Sequence, residues 1–448
     1  EETMNDVNGD LATPYVNVHQ DKEHIDSYYS RSLGNEPPHP ELNEEVKTPV
    51  CVIGGGMAGS ALALGLAERG VKNPVLVEAN RIGWGASGRN GGFISAGYSL
   101  PPFDIVKKVG ETQAKELYGL TQSAMKLIRR RMEGVEDDLL DPNTGILNIS
   151  WFNETEKIRS YVERMNEVFG EKFEFWPQEK VREYFTTERY YDAYFKTGGL
   201  IANVLKYTGH VAKLAIGLGA RVYEKSPVTK VKKIDDHWRV ETRRGTVIAD
   251  QVVYCCSAYI GNLKMKLANA TLPVATYVLL TEPLGDRMQT AIRALHGASD
   301  NRTSSNYYRP LPDGRLLWGG RVSMFHPSQA ALKKIMIKDL LHVYPQLAGI
   351  KAEVAWGGYM GYTKHKMPQI GRLKDGSWYC QGFCGHGMCS TVAGAEVAAA
   401  AIASGDETYK LFEPFGLDYA AKPFGPVVAQ TVYWFYQISD KVKERMVN

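Results

Sequence analysis

The chain has 448 residues, 44% of them hydrophobic, enough for two interleaved domains with cores of their own. Lysine and arginine number 53 against 50 acids, a net charge of +3, which excludes the basic footprint of a nucleic-acid binder. No apolar run reaches about 18 residues, so no membrane span is expected.

Residues 1–46 are polar and contain Pro37-Pro38-His39-Pro40; they read as an arm lying on the surface, anchored by Tyr28-Tyr29. Glu1 to Asp6 are acidic and polar, unlike a secretory signal, although a chain without an initial Met leaves a removed leader open. The cysteines Cys51, Cys255, Cys256, Cys380, Cys384 and Cys389 stand mostly in apolar strand patterns. They read as buried free thiols of a reducing compartment, and the expected location is cytoplasmic.

The apolar run Val50 to Ile53 ends in Gly54-Gly55-Gly56. Met57-Ala58-Gly59 and the helical pattern Ser60 to Arg69 follow, then the apolar run Pro74 to Val77 and Glu78-Ala79. That order is strand, glycine turn, helix, strand, acid. Gly54 permits the tight turn, Gly56 lets backbone approach a pyrophosphate, and Gly59 lets the helix pack closely on the strand. The helix N-terminus offers free N–H groups to phosphate, and Glu78 is placed to bond an adenosine ribose. The glycine-dense stretch Arg81 to Gly92 cannot be a helix or a central strand. Its interleaved Ser87, Arg89 and Asn90 suit backbone lying against a phosphate or a flat ring.

Residues 104–133 and 153–170 are helical by period, with a turn at Pro142-Asn143, and Arg129-Arg130-Arg131 reads as a solvated helix end. Gly198-Gly199-Leu200 opens a helix from about Val204 to Leu218. Short strands follow at Gly219 to Glu224, Val228 to Val231, His237 to Val240 and Val252 to Ala258. Further strand patterns occupy Val274 to Leu280, Ser305 to Arg309, Arg315 to Gly319 and Ala352 to Tyr359, with a hairpin turn at Pro312-Asp313-Gly314. Pro368 to Gly371 and Trp378 to Met388 lead into a small-residue helix, about Ser390 to Ser404. The end, Gln430 to Arg445, is helical with a stripe of Val432, Phe435, Tyr436 and Ile438 that suits core or subunit contact. Cys384, His386 and Cys389 match no standard zinc spacing, so no metal is expected.

With these motifs the chain, from about residue 28 to its end, resembles the D-amino-acid-oxidase-like flavoprotein superfamily. The resemblance implies an α/β fold: a Rossmann-like FAD-binding domain with an interleaved α+β substrate domain on a largely antiparallel sheet. The FAD domain would comprise 47–100, 195–262 and 361–410, and the substrate domain 101–194 and 263–360, with 411–448 as a C-terminal extension. It implies FAD contacts at Gly54, Gly56, Met57, Ala58, Gly59, Glu78 and Ala79, and at Ser87, Gly88, Arg89, Asn90 and Gly91. Val228, Ser257, Gly385, His386, Gly387 and Met388 complete the set, the last four bringing a helix N-terminus to the reduced flavin's negative charge. Relatives that attach flavin covalently carry a cysteine where this chain has Met360-Gly361-Tyr362-Thr363, so FAD is expected to be non-covalent. They also hold an oxygen-activating lysine where Leu317 stands here.

Relatives that oxidise α-amino acids clamp the carboxylate with an arginine just before the Pro-x-Ile strand. The matching stretch, Gly361 to Pro368, has only Lys364 and Lys366, which disfavours an α-amino acid. Trp356 to Gly361, Met367 to Arg372, Tyr379 to Gly387 and Tyr307 to Gly320 are similar to gamma-glutamylputrescine oxidase-like proteins. That resemblance implies oxidation of the primary amine end of an N-acylated diamine, with oxygen becoming hydrogen peroxide and ammonia released. Tyr308, Trp318 and Tyr359 are candidate walls of an alkyl-amine slot; core aromatics on strands are the competing reading. His386 is the titratable group available for proton transfer, unless its backbone is what matters. Two rivals stand: a flavin dehydrogenase passing electrons to a carrier, and a non-catalytic flavoprotein module.

Overall fold

The computed structural model describes residues 22–135, 139, 144–302, 305–323, 328–420, 440 and 443–444. The turn expected at Pro142-Asn143 and nearly all of the helix expected from Gln430 to Arg445 lie outside the described residues.

One eight-stranded sheet is built around the strand Glu45–Ile53, whose apolar half from Val50 is wholly buried, as a central parallel strand requires. It pairs in parallel with Val75–Val77 on one side and Thr246–Tyr254 on the other. Arg221–Tyr223 and Trp378–Gln381 extend the two sides in parallel, and Gln369–Arg372 adds an antiparallel edge. Helices Met57–Glu68, Val204–Gly217 and Gly387–Ser404 share a core with Val50, Val52 and Leu76. The alternate residues Cys51, Ile53, Val75 and Val77 face the other way, packing with Trp238 and Val240 of the hairpin Lys230–Ile234 and His237–Glu241.

The second eight-stranded sheet runs Ala352–Tyr362, Leu272–Thr281, Leu316–Ser323, Tyr307–Pro310, Gly297–Asp300, Ile146–Ile149, Ala193–Lys196, Phe173–Trp176. Every pairing is antiparallel except Gly297–Asp300 with Ile146–Ile149. Its hairpin turns at Gly314, at φ +79°, a conformation that favours glycine. One face buries Leu147, Leu279, Ala298, Tyr308 and Trp318 beside the helix Gln329–Val343. The other presents Asn148, Thr276, Ser299 and Tyr307 toward the glycine loops of the first sheet. The α/β architecture with a mostly antiparallel second sheet is the one the sequence predicts.

Two expectations are corrected. The helical stretch 104–133 is two helices, Pro102–Val109 and Glu111–Met132, because Gly110 takes φ +83° between them. Arg129 and Arg130 are solvated, but Arg131 is buried and pairs with Glu68 at 2.9 Å and Glu396 at 2.7 Å, tying its helix to two core helices. The helix Gly387–Ser404 is 18 residues of mean hydropathy 1.3, long and apolar enough to cross a membrane by composition; 72% of it is buried inside the protein. Its glycines and alanines let it pack tightly beneath the site as a core helix.

The arm is anchored as expected. Tyr29 is fully buried, edge-on to Trp356 with ring centres 6.0 Å apart. The arm also lies over the glycine-dense stretch: Trp84 Nε1 donates to the Glu23 carbonyl at 3.0 Å, and Arg81 pairs with Glu23 and with buried Glu224.

Candidate FAD and substrate site

Between the two sheets lies a cavity of about 710 Å³, within the usual size range of cofactor and ligand sites. The first turn of the helix Met57–Glu68 opens on it, capped by Gly56 with extended backbone and no side-chain capping bond of its own. The helix N-terminus therefore presents N–H groups and a partial positive charge to the cavity. Ser87 Oγ accepts from the Met57 N–H at 2.8 Å. A Cβ on Gly56 would project to 3.1 Å from that same Oγ, so the glycine keeps the cradle open.

Glu78 stands at the end of Val75–Val77, beside the turn. Its carboxylate accepts from Gly55 N–H at 2.6 Å and Asn80 N–H at 2.8 Å. Burial raises its pKa to about 7, against those backbone bonds, with nearby Glu224 adding to the rise. An acid in this position gains from hydroxyl donors that share its charge.

Arg89 donates from Nε to the Trp84 carbonyl at 2.7 Å and lies 4.2 Å above the Trp84 ring. Its Nη2 is buried without a hydrogen-bond partner among the described residues. Asn90 braces the loop, donating to the Ala86 carbonyl at 3.1 Å and accepting from Gly92 N–H at 2.9 Å. Open cradle, helix N-terminus, ribose-side acid and orphaned guanidinium donor together fit a flavin dinucleotide.

Gly54, Gly56, Met57, Ala58, Glu78, Ala79, Ser87, Arg89, Asn90, Gly91, Val228, Ser257, Gly385, His386, Gly387 and Met388 all line this one cavity. Gly59 and Gly88 do not, and the structure gives each a different place. A Cβ on Gly59 would lie 1.8 Å from the Gly54 carbonyl oxygen, and one on Gly88 2.2 Å from that of Gly83. Both act behind the cavity, by letting backbones close. Ser257 and Cys384, two of the non-glycine residues with left-handed backbone, are also at the cavity wall, where such strain commonly concentrates.

His386 caps the helix Gly387–Ser404 from the cavity side. Its Nε2 donates to the Ser95 carbonyl at 2.8 Å, which assigns the proton to that nitrogen. Burial, and then the positive charge of Lys196, lowers its pKa to about 4, so the ring is neutral at ordinary pH and a weak base. Cys389 Sγ turns away to the Thr121 carbonyl and Cys384 Sγ bonds near Gly382, so the three residues do not converge.

The expected substrate walls divide. Tyr359 lines the cavity, edge-on to Tyr259. Tyr308 and Trp318 do not: both are fully buried on the far face, stacked 4.6 Å apart, with the Tyr308 hydroxyl bonded to those of Tyr190 and Tyr344. Strand alternation turns Tyr307 to the cavity instead, beside Phe93 at 5.8 Å. Lys364 and Lys366 are exposed and absent from the cavity wall. Arg309 is buried, donating to the Gly91 carbonyl at 3.1 Å and so bracing the flavin-side loop. Lys196 lines the cavity and carries no motif that would mark it in the sequence.

The model of the DAO family, described as FAD dependent oxidoreductase, matches residues 49–401. Gamma-glutamylputrescine oxidoreductase of Escherichia coli (strain K12) is 34% identical over 391 residues, 84% of this chain and 88% of that protein. A probable oxidoreductase, OrdL, of Haemophilus influenzae is 29% identical over 433 residues, 94% of this chain and 99% of that protein. Among solved structures, glycine oxidase from Bacillus cereus ATCC 14579 matches with TM-score 0.66 at 22% identity, covering 81% of this chain and 97% of that one. L-Proline dehydrogenase from P. horikoshii matches with TM-score 0.65 at 20% identity, covering 84% and 98%. The fold, the dinucleotide cradle and the family match agree: the chain belongs to the DAO family of FAD-dependent oxidoreductases.

Proposed function

We propose that the protein is an FAD-dependent amine oxidase acting on an alkyl amine or N-acylated diamine, with gamma-glutamylputrescine as the leading compound. The overall change is R–CH2–NH2 + O2 + H2O → R–CHO + NH3 + H2O2. Bound FAD supplies the two-electron acceptor for the carbon next to nitrogen. The residues of this chain hold, orient and shield.

The observation that carries this reading is the wall facing the dinucleotide cradle. It offers Phe93, Tyr307, Tyr359 and Met360, with the polar Asn148, Thr276 and Ser299 and the single cation Lys196 beside them, while Lys364, Lys366 and Arg309 are all turned elsewhere. The aromatic part of this wall suits an alkyl chain and shields the reacting carbon from water. On this wall a free amino acid would meet only Lys196, a point charge rather than a forked cation, for its carboxylate. The 34% identity to gamma-glutamylputrescine oxidoreductase supports the same substrate class.

We assign His386 a positioning role. With its Nε2 proton held by Ser95 and its pKa lowered to about 4, the ring is a poor acceptor for the proton of an alkylammonium, and its residue caps the helix Gly387–Ser404 at the cavity. The amine must therefore arrive neutral. The cofactor contacts are those cavity-lining residues named above, held without a covalent bond. Buried Leu317 leaves no lysine on that strand for oxygen, which keeps the carrier-dependent dehydrogenase as the second reading.

The test is an anaerobic screen followed by flavin bleaching, with gamma-glutamylputrescine, N-acetylputrescine and putrescine against D-amino acids, glycine and sarcosine. Bleaching by the amines, with peroxide formed on admitting air, is expected. A D-amino acid that bleaches faster than every amine would overturn the reading. Bleaching without peroxide in air selects the dehydrogenase.

A further inference from the structure

A second cavity, of about 190 Å³, adjoins the first: Ser95 and Lys196 line both. Its remaining wall sets three charged side chains, Lys126, Arg129 and Glu171, among apolar and glycine residues such as Tyr118, Met125 and Phe173. Lys126 and Arg129 project from the helix Glu111–Met132, Arg129 donating from Nη2 to the Gly198 carbonyl at 2.9 Å, and Glu171 is held against the same helix, accepting from Gln122 Nε2 at 3.1 Å. Lys196 is the hinge between the two spaces. Its Nζ has one hydrogen bond, a long 3.4 Å contact to Ser95 Oγ, and lies 5.8 Å from the centre of the Phe173 ring. Among the described residues no carboxylate lies within ion-pair distance of it.

We propose that this side cavity is the subsite for the distal end of the substrate, an α-amino-acid head group whose carboxylate meets Lys196 and Arg129 and whose ammonium meets Glu171. The inference rests on the amine-oxidase reading and deepens it by naming the residues that hold the substrate's far end, a zwitterionic head whose tail runs back along the aromatic wall to the reacting carbon. The signs fit. Three cations face one carboxylate, so the subsite attracts a carboxylate first and has one partner for an ammonium. Burial lowers the Lys196 pKa to about 8 against the opposing charge of Glu171, and a ligand carboxylate beside it would add counter-charge. The head group is recognised away from the reaction, so the same amino-acid function that the main cavity rejects is accepted at the far end.

The test uses the FAD-loaded protein and N5-ethyl-L-glutamine, which carries the head and the amide but no terminal amine. Calorimetric titration should show binding to the wild-type protein, weakened at least tenfold by Lys196→Met and also by Glu171→Gln. The neutral analogue N-ethylpropanamide should bind weakly and equally to all three. Glu171 is only partly buried, so its variant keeps the test alive if Lys196→Met loses FAD. The ratio of kcat/KM for gamma-glutamylputrescine over N-acetylputrescine should fall at least tenfold in both variants. Absence of binding to the wild type, or binding that neither variant weakens, overturns the subsite. If no amine bleaches the flavin yet N5-ethyl-L-glutamine binds and depends on Lys196, the amine reading fails and the subsite stands.

Discussion

Gly59 approaches Gly54 so closely that a Cβ on Gly59 would lie 1.8 Å from the Gly54 carbonyl oxygen. The contact fixes the helix Met57–Glu68 against the strand that precedes it, and thereby aims the helix N-terminus into the cavity. Gly56, two residues along the turn, faces open space with only Ser87 near. The two glycines should fail differently. Gly59→Ala should lower the unfolding midpoint of the protein itself and reduce the yield of folded chain. Gly56→Val should fold with normal far-UV dichroism but purify colourless. A Gly56→Val protein that retains FAD would refute the cradle.

Glu78→Ala should keep the fold and weaken FAD. Loss of hydrogen bonds to a charged group is worth roughly 1.5–3 kcal/mol, or about 10–150-fold in Kd. Titration of apoprotein with FAD, followed by flavin fluorescence quenching, measures it. A change under twofold would show that Glu78 serves the turn through Gly55 alone.

FAD should leave with acid or heat. The four residues Met360 to Thr363 offer no thiol, and burial holds the nearby Cys384 and Cys256 thiols above their ordinary pKa. Yellow colour retained in the precipitated protein would show a covalent bond.

His386 should make the fold acid-sensitive. Its folded pKa of about 4 is below its ordinary 6.5, so the unfolded chain takes the proton first. Stability is unaffected above pH 6.5 and falls as pH drops from 6.5 to 4, by at most about 3 kcal/mol at 1.36 kcal/mol per unit. His24, lowered to about 4 as well, adds to the slope, so the part owed to His386 is what His386→Gln removes. The readout is the unfolding midpoint at pH 7.5 and 4.5; identical slopes in both proteins would contradict the assignment.

Trp318 and Tyr359 should separate stability from activity. Trp318→Ala empties a fully buried site and should cost about 3–5 kcal/mol, seen as a lower urea midpoint. Tyr359→Ala, at the half-exposed cavity wall, should leave that midpoint nearly in place and raise KM for the amine several-fold. A Tyr359 variant with wild-type KM would remove it from the substrate wall.

What the sequence determined by itself is local and steric. The tight turn at Gly54, the close approach at Gly59, the acid after the second strand and the turn at Gly314 are each dictated within a few residues by backbone conformation, so they are legible without a fold. The same holds for the lining residues Ser87, Arg89, Asn90 and Gly91, where glycine density excludes an α-helix or a strand and leaves only the short 3-10 turn Ala86–Gly88. Tertiary structure decided the rest. A strand's own sequence states that Tyr307 and Tyr308 face opposite ways, but not which of them meets the cavity; the hydroxyls of Tyr190 and Tyr344, remote in sequence, settle that by drawing Tyr308 to the far side. Arg131 looked like part of a solvated basic end because its partners Glu68 and Glu396 lie on other helices. Lys196 carries no motif at all. Its place at the junction of two cavities comes from the pairing of Ala193–Lys196 between Ile146–Ile149 and Phe173–Trp176, a long-range register that only the folded sheet fixes.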